Sequence, residues 1–376
     1  MKPVDQPPTK QNSGAPLAAV LESHLPSLDG MRAISILLVI VAHATAVFDR
    51  ESGYFFSLGQ LGVSVFFVIS GLLITWLMIR ERDATAAFSL RNFYIRRFLR
   101  ILPVFWLLIF TVTLLKVTHV ISIEWLDILR ALTFTHNYPL SLHRPDNYAY
   151  WLTHTWSLSL EEQFYLVWPS LFAILRPRHA ARLAAILAVS GPLLRTLNYY
   201  LIPSFRGLVG TAFHTRIDIL MVGCAAAFLL ESPAWNARIR RIPVWPTLIA
   251  TSFFLLCANP VLTNPFTFRA LGGAIARTVF PTFEALAIAL TLLVVVAGKP
   301  GMARRVLNWR VSGHIGKLSY SIYIWQQLFL APGSATRLVS LLWRLLAVYL
   351  VSFCSFNFFE RPFIKLRSRF RHGVSV

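Results

Sequence analysis

Acidic side chains are scarce in this sequence: 16 Asp and Glu stand against 36 Lys and Arg, a formal net charge of +20. Charge of either sign is sparse too, at 14% of the 376 residues, where ordinary soluble domains carry about 25%. That deficit, with repeated apolar runs of about 20 residues, excludes a water-soluble domain and indicates a polytopic helical membrane protein. Cysteine is nearly absent. Cys224, Cys257 and Cys354 all lie in apolar runs, an odd set that supports neither a disulfide framework nor a zinc site, so no metal is expected. Internal repeats, low-complexity tracts and an appended soluble domain are also missing. A basic chain can bind nucleic acid, but here the basic residues are distributed as a membrane topology requires, and no nucleic-acid partner is expected.

Ten spans are expected, near 33–50, 60–79, 101–120, 159–175, 182–202, 213–230, 244–263, 280–298, 314–332 and 338–357. With the N-terminus inside, the inner segments hold 24 of the 36 Lys and Arg. Six of these fall in 80–100, five in 299–317 and five in 361–371. The bias places both termini in the cytoplasm of a multi-pass protein of the inner (plasma) membrane. The fold class is all-α, in three parts. Residues 1–27, polar and proline-bearing, read as a disordered cytoplasmic tail. Residues 28–363 form the integral-membrane domain, and 364–376 a basic cytoplasmic tail. Ala42-His43-Ala44 mimics a signal cleavage site after an apolar run. The charged opening of the first span and the nine spans after it favour an uncleaved anchor.

The first span opens with Leu28-Asp29-Gly30-Met31-Arg32 and reaches His43 eleven residues later. On a helix these two share one face about 16 Å apart, which puts His43 near mid-membrane when Arg32 sits at the surface. Ionisable groups are costly there, so His43 is either functional or a histidine hydrogen-bonding a neighbouring helix. Asp29, one turn before Arg32, can orient that arginine or merely balance it.

Two further polar clusters stand out. Arg96 and Arg97 each lie one turn from Arg100, a basic face at the cytoplasmic mouth of the third span. Guanidinium forks suit phosphate oxygens of a cytosolic donor, while an anchor touching anionic lipid headgroups explains the same residues. The second cluster, His154 to Tyr165, contains Glu161 and Glu162 at the head of the fourth span. Two adjacent carboxylates cannot both face lipid, so at least one points inward. Acidic residues also suit a helix N-terminus. A carboxylate near His43 would hold the imidazole tautomer, and that pairing is an expectation. The outer segment 121–158 is the longest loop, and its tryptophans fit an interfacial belt or a substrate vestibule.

These residues resemble the membrane-bound acyltransferase family 3. The opening Leu28 to Ala33 with His43 matches, and so do Gly62 to Gly71, Arg96 to Pro103, Trp156 to Pro169, Thr215-Arg216-Ile217-Asp218, Ser319 to Trp325 and the closing Glu360-Arg361-Pro362-Phe363. The resemblance implies an O-acyltransferase that moves an acetyl or other short acyl group from acyl-CoA (acetyl-CoA as substrate, no bound cofactor) to a hydroxyl. The acceptor would be a glycan, lipid-linked glycan or small molecule of the cell envelope. It implies His43 as catalytic base, to which the expectation above adds Glu161 or Glu162, and donor binding by Arg32, Arg96, Arg97, Arg100 and Asp29. Arg216, Asp218, Tyr320 and Tyr323 would stand on the acceptor side, with membrane lipid around the whole.

Two departures stand out: Gln326 follows Trp325 where many members have histidine, and Ser64 occupies a common aspartate position. The competing class is a transporter or flippase of an envelope lipid or glycan, using the same groups as a substrate or proton path. It predicts paired discontinuous helices, and no such internal symmetry is visible. The His-x4-Asp motif of glycerolipid acyltransferases is absent, since His43–Asp49 and His214–Asp218 have the wrong spacing.

Overall fold

The computed structural model describes residues 25, 27–48, 53–138, 150–202, 210–258, 278–299, 301–331 and 338–370. Among these there is no strand. The helices include α1 (Leu28–Ala46), α2 (Gly53–Thr85), α3 (Leu90–Val117), α4 (Trp125–Leu132), α5 (Thr155–Ile174) and α6 (Pro177–Leu201). They continue with α7 (Phe213–Glu231), α8 (Val244–Phe253), α9 (Phe280–Ala297), α10 (Arg310–Trp325), α11 (Leu338–Cys354) and α12 (Arg361–Leu366).

Each stretch expected to span is helical over its described part. Seven runs are long and apolar enough to cross a membrane: α1, Ser57–Thr85 of α2, α3, α6, α7, α9 and Leu338–Leu366 through α11 and α12. The protein is a multi-pass membrane protein. The other three expected spans fall on α5, α8 and α10, for separate reasons. α5 has 20 residues but carries Glu161, Glu162 and Gln163. α8 has 10, and part of the expected 244–263 lies outside the described residues. α10 has 16 and includes Arg310, His314 and Lys317.

The outer surface is apolar: Phe110, Val189, Phe253 and Trp343 are all at least 65% exposed. In lipid such residues gain little by packing on each other, so helices associate through close backbone contact and polar links. The chain supplies both. Gly71 of α2 and Gly223 of α7 face each other, and a Cβ on either would run into backbone of the opposite helix. Gly30 and Gly316 do the same for the start of α1, one against Leu307 and the other against Asp29. Ser35 donates to the Gly62 carbonyl at 2.5 Å, joining α1 to α2. These contacts fix the height at which α1 presents Asp29 and Arg32.

A second group of helices is joined by charge. Arg195 of α6 and Asp218 of α7 form a fully buried bidentate pair at 2.9 and 3.0 Å. Thr282 of α9 donates to the same carboxylate at 2.5 Å, and Arg195 also donates to the Thr278 and Thr215 carbonyls. Every polar atom of this pair is satisfied by a neighbour, as a charge pair away from water requires.

The described parts of the two expected tails pack on the helices. Residues 1–24 of the expected N-terminal tail lie outside the described residues, but the Ser27 amide donates to Asn308 at 2.8 Å. The expected C-terminal tail from 364 is helical to Leu366 and turns through Arg367–Phe370, where Arg96 donates to the Phe370 carbonyl at 3.1 Å.

Candidate active site

Five helices line an open cleft. At one end stand Arg32 of α1 with Arg97 and Arg100 of α3. Ser70, Glu161 and Tyr165 occupy the middle, over an apolar wall of Val63, Phe66, Phe67 and Leu73. Ser157, Tyr320 and Tyr323 line the remainder. A second cavity shares Leu73, Arg97 and Arg100 with the first and adds Glu81, Phe88, Phe93, Arg96 and Arg367. It lies at the end of the bundle where α2 and α3 meet through the 86–89 turn, and Arg97 and Arg100 stand between the two.

The arginines are held differently. Arg96 pairs with Glu81 at 2.8 Å and is committed to it. Arg32 is 3.3 Å from Asp29, which therefore orients it. The Arg97 guanidinium lies 4.0 Å over the Tyr165 ring, and its buried Nε has no hydrogen bond. Arg100 feels the charges of Arg32, Arg367 and Arg97. Neither Arg97 nor Arg100 forms an ion pair among the described residues. Three guanidiniums that line one cleft, two of them without an ion pair among the described residues, make a site for an anion.

Glu161 accepts from Ser70 at 2.6 Å, and its charged neighbours are Arg97 and Arg32. Glu162 also points inward: its Oε1 is buried without a hydrogen bond, beside Arg97 and Glu161. Neither glutamate hydrogen-bonds His43. The expected direct carboxylate–imidazole pair is not formed, because α5 carries Glu161 seven residues past His154, about 10 Å along its axis, to the level of the α3 arginines.

His43 lies in the last turn of α1 and lines neither cavity. Its Nδ1 is buried without a hydrogen bond of good geometry, and the Gln326 side chain approaches it. Both polar atoms of Gln326 are likewise unsatisfied, and so are both ring nitrogens of His154, a side chain 4% exposed whose charge neighbours include His43. Tyr323 connects this group to the cleft. Its ring meets His154 edge-on at 5.4 Å, and its hydroxyl donates to the His154 carbonyl at 2.8 Å and lies 2.5 Å from Ser157 Oγ.

The remaining expected residues separate. Tyr320 lines the cleft and donates to the Ile101 carbonyl at 3.1 Å. Arg216 bonds Gly210 and Gln60 between α7 and α2, and Asp218 is saturated by Arg195 and Thr282. Neither lines the cleft. Tethers from α4 and its following turn lead back to α5: His136 meets Thr155 at 2.7 Å, and Asn137 and Gln163 exchange two bonds of 3.0 Å. Burial, against the pull of Asp127, holds the His136 imidazole below its ordinary value. Among the described residues no group of His, Cys, Asp or Glu gathers that could hold a metal ion.

Ser70, Tyr165, Ser157, His154 and Arg367 were not foreseen as site residues. One signal was present: His154, Ser157, Glu161 and Tyr165 recur at intervals of three, four and four, which is one face of a helix.

The profile of the Acyltransferase domain family matches residues 25–359. The chain belongs to the membrane-bound acyltransferase family 3. It is 30% identical over 316 residues to the O-acetyltransferase OatA of Staphylococcus aureus (strain NCTC 8325 / PS 47), covering 80% of this chain and 50% of that protein. It is 26% identical over 372 residues to the peptidoglycan O-acetyltransferase OatA of Listeria monocytogenes serovar 1/2a, covering 91% of this chain and 56% of that protein. The chain thus spans about half the length of the curated relatives it matches. No solved structure matches it significantly.

Proposed function

We propose that this acyltransferase moves an acetyl group from a cytosolic acyl-CoA to a hydroxyl of an envelope glycan, with peptidoglycan the first acceptor to test. The observation that carries this reading is the arginine-lined cleft, which extends to Tyr323, whose ring meets His154 at 5.4 Å. The donor's phosphates would rest on Arg97 and Arg100 with Arg32 beyond them, entering from the basic end, which the charge distribution assigns to the cytoplasm. Its thioester arm would follow the apolar wall of Phe66, Phe67 and Leu73 toward Ser157 and Tyr323. α1 spans that reach, since Arg32 and His43 are about 16 Å apart along it.

In this mechanism neutral His43 takes the proton of the acceptor hydroxyl as the oxygen attacks the thioester carbonyl. The C–O bond forms, the C–S bond breaks, and coenzyme A leaves as thiolate to collect a proton. His154 and Gln326, with unsatisfied polar atoms beside His43, would hold the acceptor. Glu161 tempers the arginine cluster when no donor is bound. The peptidoglycan acceptor is drawn from the name of the Listeria monocytogenes relative.

The test is transfer of radiolabelled acetyl from acetyl-CoA to peptidoglycan glycan strands by the purified protein in nanodiscs. Ester-linked label that mild base releases is expected. Release of coenzyme A without labelled glycan would remove that acceptor, and no acetyl-CoA turnover with any glycan would remove the donor.

A further inference from the structure

The arginines of the two cavities have an order. Arg367 and Arg96 line only the outer cavity, Arg97 and Arg100 line both, and Arg32 lines only the inner cleft. Arg96 pairs with Glu81 at 2.8 Å and ties the turn that carries Arg367 to α3. An acyl-coenzyme A has a matching order: a 3′-phosphate on the ribose, then a diphosphate, then the uncharged arm with the thioester. Arg367 stands outside residues 25–359, the part matched by the family profile, and nothing in the motif pattern marks it.

We propose that Arg367, on the turn after α12, recognises the terminal 3′-phosphate of the acyl-CoA donor, while Arg97 and Arg100 take the diphosphate. The Arg96 bond to the Phe370 carbonyl at 3.1 Å ties this turn to α3. That link holds Arg367 over the cavity, in electrostatic contact with Arg100. Phe88 and Phe93, with centroids 5.8 Å apart in an edge arrangement, give the same cavity an aromatic wall for the adenine. A phosphomonoester dianion is the best ligand for a guanidinium fork that extends an existing basic site. An anionic lipid headgroup offers similar chemistry at this end of the bundle, and the experiment separates the two. The inference rests on the acyl-CoA donor proposed above.

The experiment is calorimetric titration of the full chain in phosphatidylcholine nanodiscs with acetyl-CoA and with acetyl-3′-dephospho-CoA. The intact protein should bind acetyl-CoA about tenfold or more tightly than the dephospho thioester, the range of one charge-assisted contact. Arg367→Ala should bring acetyl-CoA down to the dephospho value and leave dephospho binding unchanged, with Arg367→Lys in between. Equal weakening of both thioesters, or of neither, overturns the proposal. A lack of discrimination by the intact protein overturns it without any variant. If discs containing phosphatidylglycerol abolish the discrimination, Arg367 belongs to the lipid surface and the proposal falls. Failure of the intact protein to bind either thioester removes the donor assignment itself, which distinguishes that outcome from the others.

Discussion

Arg97 of α3 lies over the ring of Tyr165 of α5, its guanidinium carbon 4.0 Å from the ring centroid. The contact positions the fork, and a buried Nε is left without a hydrogen bond beside residues that line both cavities. An anchor for lipid headgroups needs only charge. A docking group for phosphate needs charge, planarity and orientation.

Arg97→Lys separates these roles, because lysine keeps the charge and loses both the fork and most of the stacking. The apparent KM for acetyl-CoA should rise about tenfold, with kcat changed much less. Steady-state kinetics at saturating glycan measures this. An unchanged KM assigns Arg97 to topology alone.

His43→Ala should lower kcat by about 10²–10⁴-fold, the usual contribution of a general base. The thermal unfolding midpoint should stay close to that of the parent, since His43 Nδ1 has no hydrogen bond of good geometry to lose. The parent's kcat should fall as the pH drops and the imidazole becomes protonated, because only the neutral ring accepts a proton. A stable His43→Ala protein with near-parental turnover would return this residue to a packing role.

The architecture was legible because lipid imposes it: a helix must present about 20 apolar residues, and that pattern survives in sequence. The Arg32–His43 relationship was equally legible, since both lie on α1 and helix geometry alone sets their spacing. Relations between helices were harder. Glu161 and His43 were matched by depth, but depth does not say which helix faces which, and Glu161 meets Ser70 of α2. Asp218 looked like an acceptor-side carboxylate. Its partner Arg195 is 23 residues away on another span, and no local pattern joins them. Arg367 read as part of a basic cytoplasmic tail, because packing of the last turn on α3 depends on tertiary contacts.

Arg195 and Asp218 also provide a control for stability against function. Asp218→Ala leaves a fully buried guanidinium without its carboxylate, which typically costs about 3–5 kcal/mol. Expression and melting temperature should drop sharply. The double replacement Arg195→Met with Asp218→Leu should recover much of that loss, since neither charge is then stranded. Activity per folded molecule should stay near parental in the double variant. A stable double variant with a large acceptor KM defect would restore Asp218 to the acceptor path.

Glu161→Gln tests how the carboxylate works. Glutamine preserves shape and can still accept the Ser70 hydroxyl bond of 2.6 Å, so only the charge is removed from a cluster that includes Arg32 and Arg97. The site becomes more positive, and an anionic donor should then bind more tightly. A charge about 8 Å from a phosphate is worth about 2 kcal/mol at an effective dielectric of 20, before screening. A three- to tenfold lower Kd for acetyl-CoA is therefore expected, with slower release of coenzyme A. The acidic limb of the kcat profile should keep its midpoint, because Glu161 has no hydrogen bond to His43. Glu162→Gln should act in the same direction, since its carboxylate also faces Arg97. The measurements are calorimetry for the donor and a pH series for kcat. A displaced acidic midpoint with unchanged donor affinity would mean that Glu161 pairs with His43 during turnover, through a rearrangement of α5 against α1.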